Sequence, residues 1–345
     1  LMGKPSVTLK DLARELNLSL STVSRALQNS DTISKKTKKR VLAMAEQLGY
    51  FPNSMASSLR KSKSNLIGII VPKISIYFHS RVISGIEEIA FKNGYNVVIC
   101  QSNDSYKREV ENTLALLANR VEGVIACLAL ETTDNKHFLR LREFDTPLVF
   151  FDRVCQNFAC NKVVIDDFRA AYKATQHLIN IGCKLIAHIA GYQGTNIFRE
   201  RVEGYKAALR DNNLEPVDDY IIETKELTYA EGLRCSKKIL TLKRPPDGIF
   251  CANDDTAVGT IQGAKQLGIK VPEKCAVVGF SNYPISTIIE PSLTTIDDRA
   301  IEMGQAAARL LIQQIEDKSD FISTQMIVIE TDLIVRESTM KTHSM

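Results

Sequence analysis

Ser21 and Arg25 stand one helical turn apart in the stretch TLKDLARELNLSLSTVSRALQN, residues 8–29. A guanidinium can bond the O6 and N7 of one guanine together, and a serine hydroxyl can donate or accept at a neighbouring base edge. That chemistry needs both side chains on the open face of a short, well-anchored helix. The surrounding residues provide the anchor. Thr8 followed three positions later by Asp11 is a helix start signal. Leu9, Leu12, Ala13 and Leu16 then form one apolar stripe. Asn17 tolerates a left-handed exit, and Ser19 is a natural cap for the next helix. There Val23, Ala26 and Leu27 share the inward face, so Ser21, Ser24, Arg25 and Gln28 point elsewhere. An ordinary helical hairpin with a solvated face has the same pattern, and the rest of the chain decides between the two.

A second set of polar residues recurs farther on, each pair just after an apolar run. Tyr77 and Phe78 follow LIGIIVP, Asp152 and Arg153 follow VFF, and Asp166 and Asp167 follow VVI. Asn253 and Asp254 follow IFCA, Ser281 and Asn282 follow VVGF, and Arg201 lies early in a helical stretch. Carboxylate, amide and guanidinium groups bond sugar hydroxyls, and an aromatic ring stacks on a sugar or base face. In open parallel sheets, ligands bind outside the carboxyl ends of the strands. The plainer alternative is that each Asp or Asn caps the following helix and that Arg201 makes a surface ion pair.

The elements that must position these groups alternate strand and helix from Leu66 onward. Four apolar strands (LIGIIVP, NVVIC, VEGVIAC, PLVFFDR) with helical patterns between them imply a parallel sheet with right-handed crossovers. The alternation then repeats through LIAHIAG, YIIET, GIFCAND and CAVVGFS, so a second similar half is expected. The C-terminal TQMIVIETDLIVRES is expected to be a strand pair. The final ESTMKTHSM has no heptads, so a coiled-coil tetramer is not expected.

Composition narrows the function classes. At 345 residues, 44% hydrophobic and 24% charged, the chain has room for two or three domains with a sizeable core. No apolar run is long enough to span a bilayer, and LMGKPSVTLK has no apolar signal core, so a cytoplasmic location is expected. The eight cysteines are scattered and none forms a CxxC pair. They are expected to be reduced core thiols, with neither disulfides nor a zinc site. No P-loop, GxGxxG, GxSxG or HExxH is present and the five histidines are unclustered in sequence, so neither an enzyme nor a bound cofactor is expected.

The net charge of +4 is unevenly placed. Residues 1–63 hold twelve Lys and Arg against four acids, a balance of +8 that leaves −4 for the remainder. A basic head on a mildly acidic body is the electrostatic footprint of a DNA-binding domain joined to something else. Ser34 can cap a third helix that ends at Gly49 and opens on KKTKKR. Cations oppose the dipole at a helix start, and contact with phosphates explains that cost better than a solvated cluster. Asn53 can then cap a short helix of small residues with Leu59 at its end. Two such segments could wedge leucines into a minor groove, and a flexible Ser/Lys linker is equally compatible with the composition.

The order VTLKDLARELNLSLSTVSRALQN, KKRVLAMAEQLGYFPNSMASSLRK and NLIGIIVP resembles the lactose/galactose repressor (LacI–GalR) family of transcription regulators over nearly the whole chain. The resemblance implies a small all-α helix-turn-helix domain at residues 1–50 and a hinge at 51–63. It also implies an α/β two-lobed core like the periplasmic binding proteins, built of two parallel-sheet Rossmann-like subdomains. The first lobe would hold 64–162 and 293–321 and the second 163–292 and 322–345, with helix 300–316 returning to the first. Leu20, Ser21, Thr22 and Arg25 would read the major groove, and Asn53, Ala56 and Leu59 would enter the minor groove. Tyr77, Phe78, Asp152, Asp166, Arg201, Asn253 and Ser281 match effector-pocket positions. Where the family pattern is VVGYD or VVGFD this chain has VVGFSN, so Ser281 replaces a ligand-binding carboxylate and admits a phosphorylated or acidic effector. The expected protein is a homodimeric repressor of carbohydrate-utilisation genes, with double-stranded operator DNA and a small sugar-like effector as partners. A sugar-binding sensor without DNA binding, or a sugar-processing α/β enzyme, is the alternative.

Overall fold

The apolar stripe of residues 9–16 closes against those of the two helices that follow it. The computed structural model describes residues 7–50, 64–317 and 324–340, and the chain divides into two compact units, Leu1–Ser64 and Asn65–Met345. The expected hinge residues Asn53, Ala56 and Leu59 lie outside the described residues.

In the first unit α1 is Leu9–Leu16, α2 is Leu20–Leu27 and α3 is Lys35–Leu48. Thr8 and Asp11 form a reciprocal capping box: the Thr8 amide donates to Asp11 Oδ2 at 2.9 Å and the Asp11 amide to Thr8 Oγ1 at 3.3 Å. Asn17 takes the left-handed conformation at φ 52°. Leu12, Ala13, Leu16, Val23, Ala26, Val41 and Ala45 make the buried core. The tight turn between α1 and α2 thus follows from one αL residue and one serine cap.

The second unit holds two six-stranded sheets. The first is built from β1 (Leu66–Val71), β2 (Asn96–Gln101), β3 (Gly123–Ala126), β4 (Leu148–Phe151), β5 (Asn161–Ile165) and β11 (Met326–Ile329). Its order is β11-β5-β4-β3-β1-β2, all parallel. The crossovers include α4 (Tyr77–Lys92), α5 (Tyr106–Ala118) and α6 (Lys136–Glu143). The second sheet contains β6 (Ile186–Ala190), β7 (Ile221–Glu223), β8 (Gly248–Cys251), β9 (Ala276–Phe280), β10 (Thr294–Asp297) and β12 (Asp332–Ile334), in the order β12-β10-β9-β8-β6-β7. Its helices are α7 (Asp167–Asn180), α8 (Asn196–Asp211), α9 (Tyr229–Leu240), α10 (Asp254–Gln266) and the single turn α11 (Ile285–Ile288). Among the described residues only the β10–β12 pairing is antiparallel. The inner strands β1, β3, β4, β6, β8 and β9 are buried on both faces, as parallel sheets covered by helices require.

The lobe boundaries differ from the expected ones. All of β5 belongs to the first sheet, so the chain leaves that lobe after Ile165 and not near 162. β10 belongs to the second sheet, which moves the return from 292 to after Asp297. β11 lies in the first sheet and β12 in the second, so the last crossing falls between Ile329 and Asp332 and not near 322. The two C-terminal strands therefore do not pair with each other. The reason is the same in each case: the strand completes its ladder before the chain departs, and a sequence repeat marks the strand without marking its sheet.

The helix α12 (Ala300–Glu316) returns to the first lobe and packs on α4. Glycines allow the close approach: a Cβ on Gly85 would meet the Ile301 carbonyl oxygen at 2.3 Å, and one on Gly304 would meet the Val82 carbonyl oxygen at 2.1 Å. Among the described residues no helix is long and apolar enough to cross a membrane.

Candidate functional site

The first unit presents its polar face on α2. Leu20, Ser21 and Arg25 are exposed, with Leu20 at 44%. Val23 and Ala26 fix the opposite side of the helix in the core. Thr22 is half-buried: its amide donates to Ser19 Oγ at 3.1 Å and its hydroxyl lies 2.9 Å from the same oxygen. Three of the four residues assigned to base reading are thus open, and the fourth belongs to the cap.

The basic start of α3 splits into two classes. Arg40 donates to the Leu16 carbonyl at 3.0 Å, closing the end of α1. Lys38 donates to the Asn29 carbonyl at 3.0 Å. Lys35, Lys36 and Lys39 are exposed. Arg40→Ala should therefore lower the melting stability of the first unit by about 1 kcal/mol, the worth of a typical hydrogen bond. Lys39→Ala should leave that stability unchanged and reduce the salt slope of duplex binding by roughly 1. Paired thermal melts and salt titrations check both. An unchanged melt for the Arg40 variant would remove the latch role.

In the second unit a cavity of about 350 Å³ opens between the lobes. Its position follows from topology. In each sheet the strand order reverses beside the first strand, β1 between β2 and β3, and β6 between β7 and β8. Ligands sit outside such switch points. Phe78, Asp152, Arg201, Asn253 and Ser281, all expected there, do line the cavity. Tyr77 lines an adjoining depression with Arg81 and Asp297, and its ring meets Tyr283 edge-on at 5.2 Å. Asp166 is not brought to the cavity. It is exposed and caps α7, accepting from the Arg169 amide at 2.8 Å. The plain helix-cap reading holds at that position.

Asn253 caps α10 and also lines the cavity. Its Oδ1 accepts from the Thr256 amide at 2.9 Å, its Nδ2 donates to the Leu227 carbonyl at 2.8 Å, and the side chain still faces the cavity. Arg201 is buried, with Nε donating to Asp167 Oδ1 at 2.7 Å and Nη1 to the Ala252 carbonyl at 2.7 Å. Its guanidinium lies 3.5 Å from the centre of the Phe280 ring. It is a buried pair, not the surface one considered above. Asp152 sits at φ 56° directly after β4.

Several lining residues escaped the sequence reading: Lys73, His79, Asp104, Phe198 and Asp298. Asp104 accepts from Arg153 Nη1 at 2.6 Å and so neutralises that buried cation. Asp298 had a usable signal, because TTIDD is again a strand followed by carboxylates. It is buried, and it shares a hydrogen bond with Ser281. A carboxyl group absent from position 281 is thus present beside it, contributed by the segment that follows β10. Burial pushes Asp298 up to about 8.

That shift has a sign. Between the usual carboxylate range and about pH 8 the folded chain holds a proton on Asp298 that the unfolded chain has lost. Stability contributed by this group is present in acid and falls as pH rises through that interval. Asp298→Asn should flatten the fall in melting temperature between about pH 4 and about pH 8. Parallel melts across pH check this, and curves of identical slope would contradict it.

The chain matches two family descriptions in order: "Bacterial regulatory proteins, lacI family" over residues 8–53, and "Periplasmic binding proteins and sugar binding domain of LacI family" over residues 64–337. Catabolite control protein A of Priestia megaterium is 32% identical over 335 residues, covering 97% of this chain and 99% of its own. The transcriptional repressor CytR of Escherichia coli K12 is 31% identical over 334 residues, covering 97% and 96%. Among solved structures, the transcriptional regulator CelR in complex with cellobiose has a TM-score of 0.73 at 27% identity, over 96% of this chain and 99% of that one. The lac repressor dimer bound to operator and the anti-inducer ONPF shares the fold, with a TM-score of 0.86 at 24% identity over 97% and 99%. With both descriptions matched end to end, the chain belongs to the LacI family of bacterial regulatory proteins and is a ligand-responsive, DNA-binding transcription regulator.

Proposed function

We propose that this regulator is a cytoplasmic, nucleoid-bound homodimer that represses carbohydrate-utilisation genes and senses a neutral sugar in the cleft. The observation that carries the sugar reading is the chemistry of the cavity lining. Asp152, Asn253, Asp255 and Asp298 offer acceptors and an amide to hydroxyl groups, and Phe78 and Phe198 offer apolar faces. The buried cations do not favour an anion: Arg153 is committed to Asp104, and Arg201 to Asp167. At about 350 Å³ the cavity lies near the lower end of ligand pockets, roughly 300–1,000 Å³, which suits a single sugar ring better than a long oligomer.

Relatives support the same class. One is a ribose operon repressor, 32% identical over 333 residues, and a solved neighbour is named as a cellobiose complex. Another relative, CytR, is called a transcriptional repressor, and the lac repressor is solved as a dimer on its operator. Two heads on a two-fold axis read two half-sites of a near-palindrome. Leu20, Ser21 and Arg25 read base edges, while Asn53, Ala56 and Leu59 enter the minor groove between the half-sites. Leu59→Ala should then weaken operator binding more than nonspecific binding; equal losses would remove the wedge.

The test is a thermal-shift screen of the whole chain against neutral pentoses and hexoses and their phosphate esters. A neutral sugar should raise the melting temperature and its phosphate should not. A shift by the phosphate esters alone would overturn the neutral-sugar reading while leaving DNA binding untouched.

A further inference from the structure

We propose that His79, Cys127 and Asp152 form a binding site for one divalent transition-metal ion of the zinc class, set in the wall of the cleft. The proposal goes beyond the sugar reading and does not depend on it, although the two share Asp152.

The three residues are far apart in sequence and come from three elements. His79 is in the first turn of α4, Cys127 directly follows β3 and Asp152 directly follows β4. All are buried, at 2%, 0% and 8% exposure. One donor atom from each lies within 4.8 Å of the other two. Cys127 Sγ is 3.5 Å from Asp152 Oδ2 and 4.0 Å from His79 Nε2. Tetrahedral zinc with bonds of about 2.0–2.3 Å holds its ligand atoms about 3.5 Å apart, so Cys127 already stands near that spacing from both partners and closure needs His79 and Asp152 to approach each other by at most about 1 Å.

The histidine is already oriented for a ligand. His79 Nδ1 lies 2.9 Å from the Lys73 carbonyl oxygen. A carbonyl only accepts, so Nδ1 carries the hydrogen and the bare Nε2 faces Cys127. Metal-bound histidines use this arrangement, in which the second ring nitrogen donates to a carbonyl and fixes the tautomer.

Charge is consistent with a divalent ion. Thiolate and carboxylate together carry two negative charges, and the nearby Arg153 is already paired with Asp104. Without an ion, Cys127 Sγ donates to Asp152 Oδ2, so the sulfur carries a hydrogen. Binding breaks the Cys127 S–H bond and forms a sulfur–metal bond, and the proton passes to solvent with no change of oxidation state. A sulfur, nitrogen and oxygen donor set favours zinc and cobalt over magnesium or calcium. Because His79 and Asp152 both line the cavity, the fourth position is left to water on the cavity side.

The experiment titrates the whole chelator-stripped chain with cobalt(II) and then with zinc(II), with no sugar present. One cobalt per chain should give the visible bands of a tetrahedral ion and a thiolate-to-cobalt charge-transfer band. Zinc should displace both, and one proton should be released per ion. Cys127→Ala should abolish the charge-transfer band. Cys251→Ala, which removes a buried thiol of the second lobe, should retain it. His79→Gln, which leaves the thiol in place, should weaken cobalt binding by about tenfold or more. Absence of a stoichiometric band in the wild-type chain overturns the site outright. So does a band that survives in Cys127→Ala, or cobalt affinity unchanged in His79→Gln. A failure of the sugar reading would alter none of these results.

Discussion

Arg25→Ala is expected to cost roughly 1–3 kcal/mol at the operator and to relax preference at one base pair. The argument starts from α2, an eight-residue helix too short to persist unaided, which is held by the Ser19 cap and by Val23 and Ala26 in the core. The helix is fixed by packing, so the exposed Arg25 is presented from a rigid backbone. A bidentate contact with one guanine accounts for the whole magnitude. Binding to operators randomised at each position measures both parts. Equal loss on every sequence would reduce Arg25 to a phosphate contact.

Arg201→Ala carries the largest expected effect on stability, about 3–5 kcal/mol, because removing one member of a buried ion pair strands the other. Asp167 is buried, and burial already pushes it up to about 7 against the pull of Arg201. Without the guanidinium it would be forced to protonate at neutral pH, and the Ala252 carbonyl would lose its donor. Replacing both members, Arg201→Met with Asp167→Leu, should recover much of that loss, since well-packed apolar pairs are often as stable as the ions they replace. Sugar response should stay lost in the double variant, because Arg201 also lines the cavity. Denaturant melts separate the two roles. A single variant as stable as the parent would contradict the structural role of the pair.

The first unit was largely legible in the sequence because its signals are local. The Thr8–Asp11 box, Asn17 at positive φ and the Ser19 cap act within one turn of where they are read. The strands were legible for a similar reason, since short runs such as LIGIIVP are buried on both faces. What escaped is set by pairing over long distances. Which sheet takes a strand depends on partners outside its own stretch of sequence, as with β11, whose Met326 pairs with Lys162 of β5. Side-chain contacts between elements were hidden in the same way. Nothing in RERVEGY shows that Arg201 is buried against Asp167, and nothing near VVGFSN shows that Asp298 stands beside Ser281. Asp166 shows the opposite error, a polar residue in the expected register that only caps its helix.

The central claim is that one ligand in the cleft alters the grip of the helical head on DNA. The direct measurement is operator affinity, on a duplex selected from a random pool, with and without the sugar that shifts the melt. Linkage requires that sugar and operator change each other's affinity by the same factor, about 5–150-fold. Matching, reciprocal shifts are the predicted result. A sugar that binds the cleft tightly yet leaves operator affinity unchanged would contradict the account.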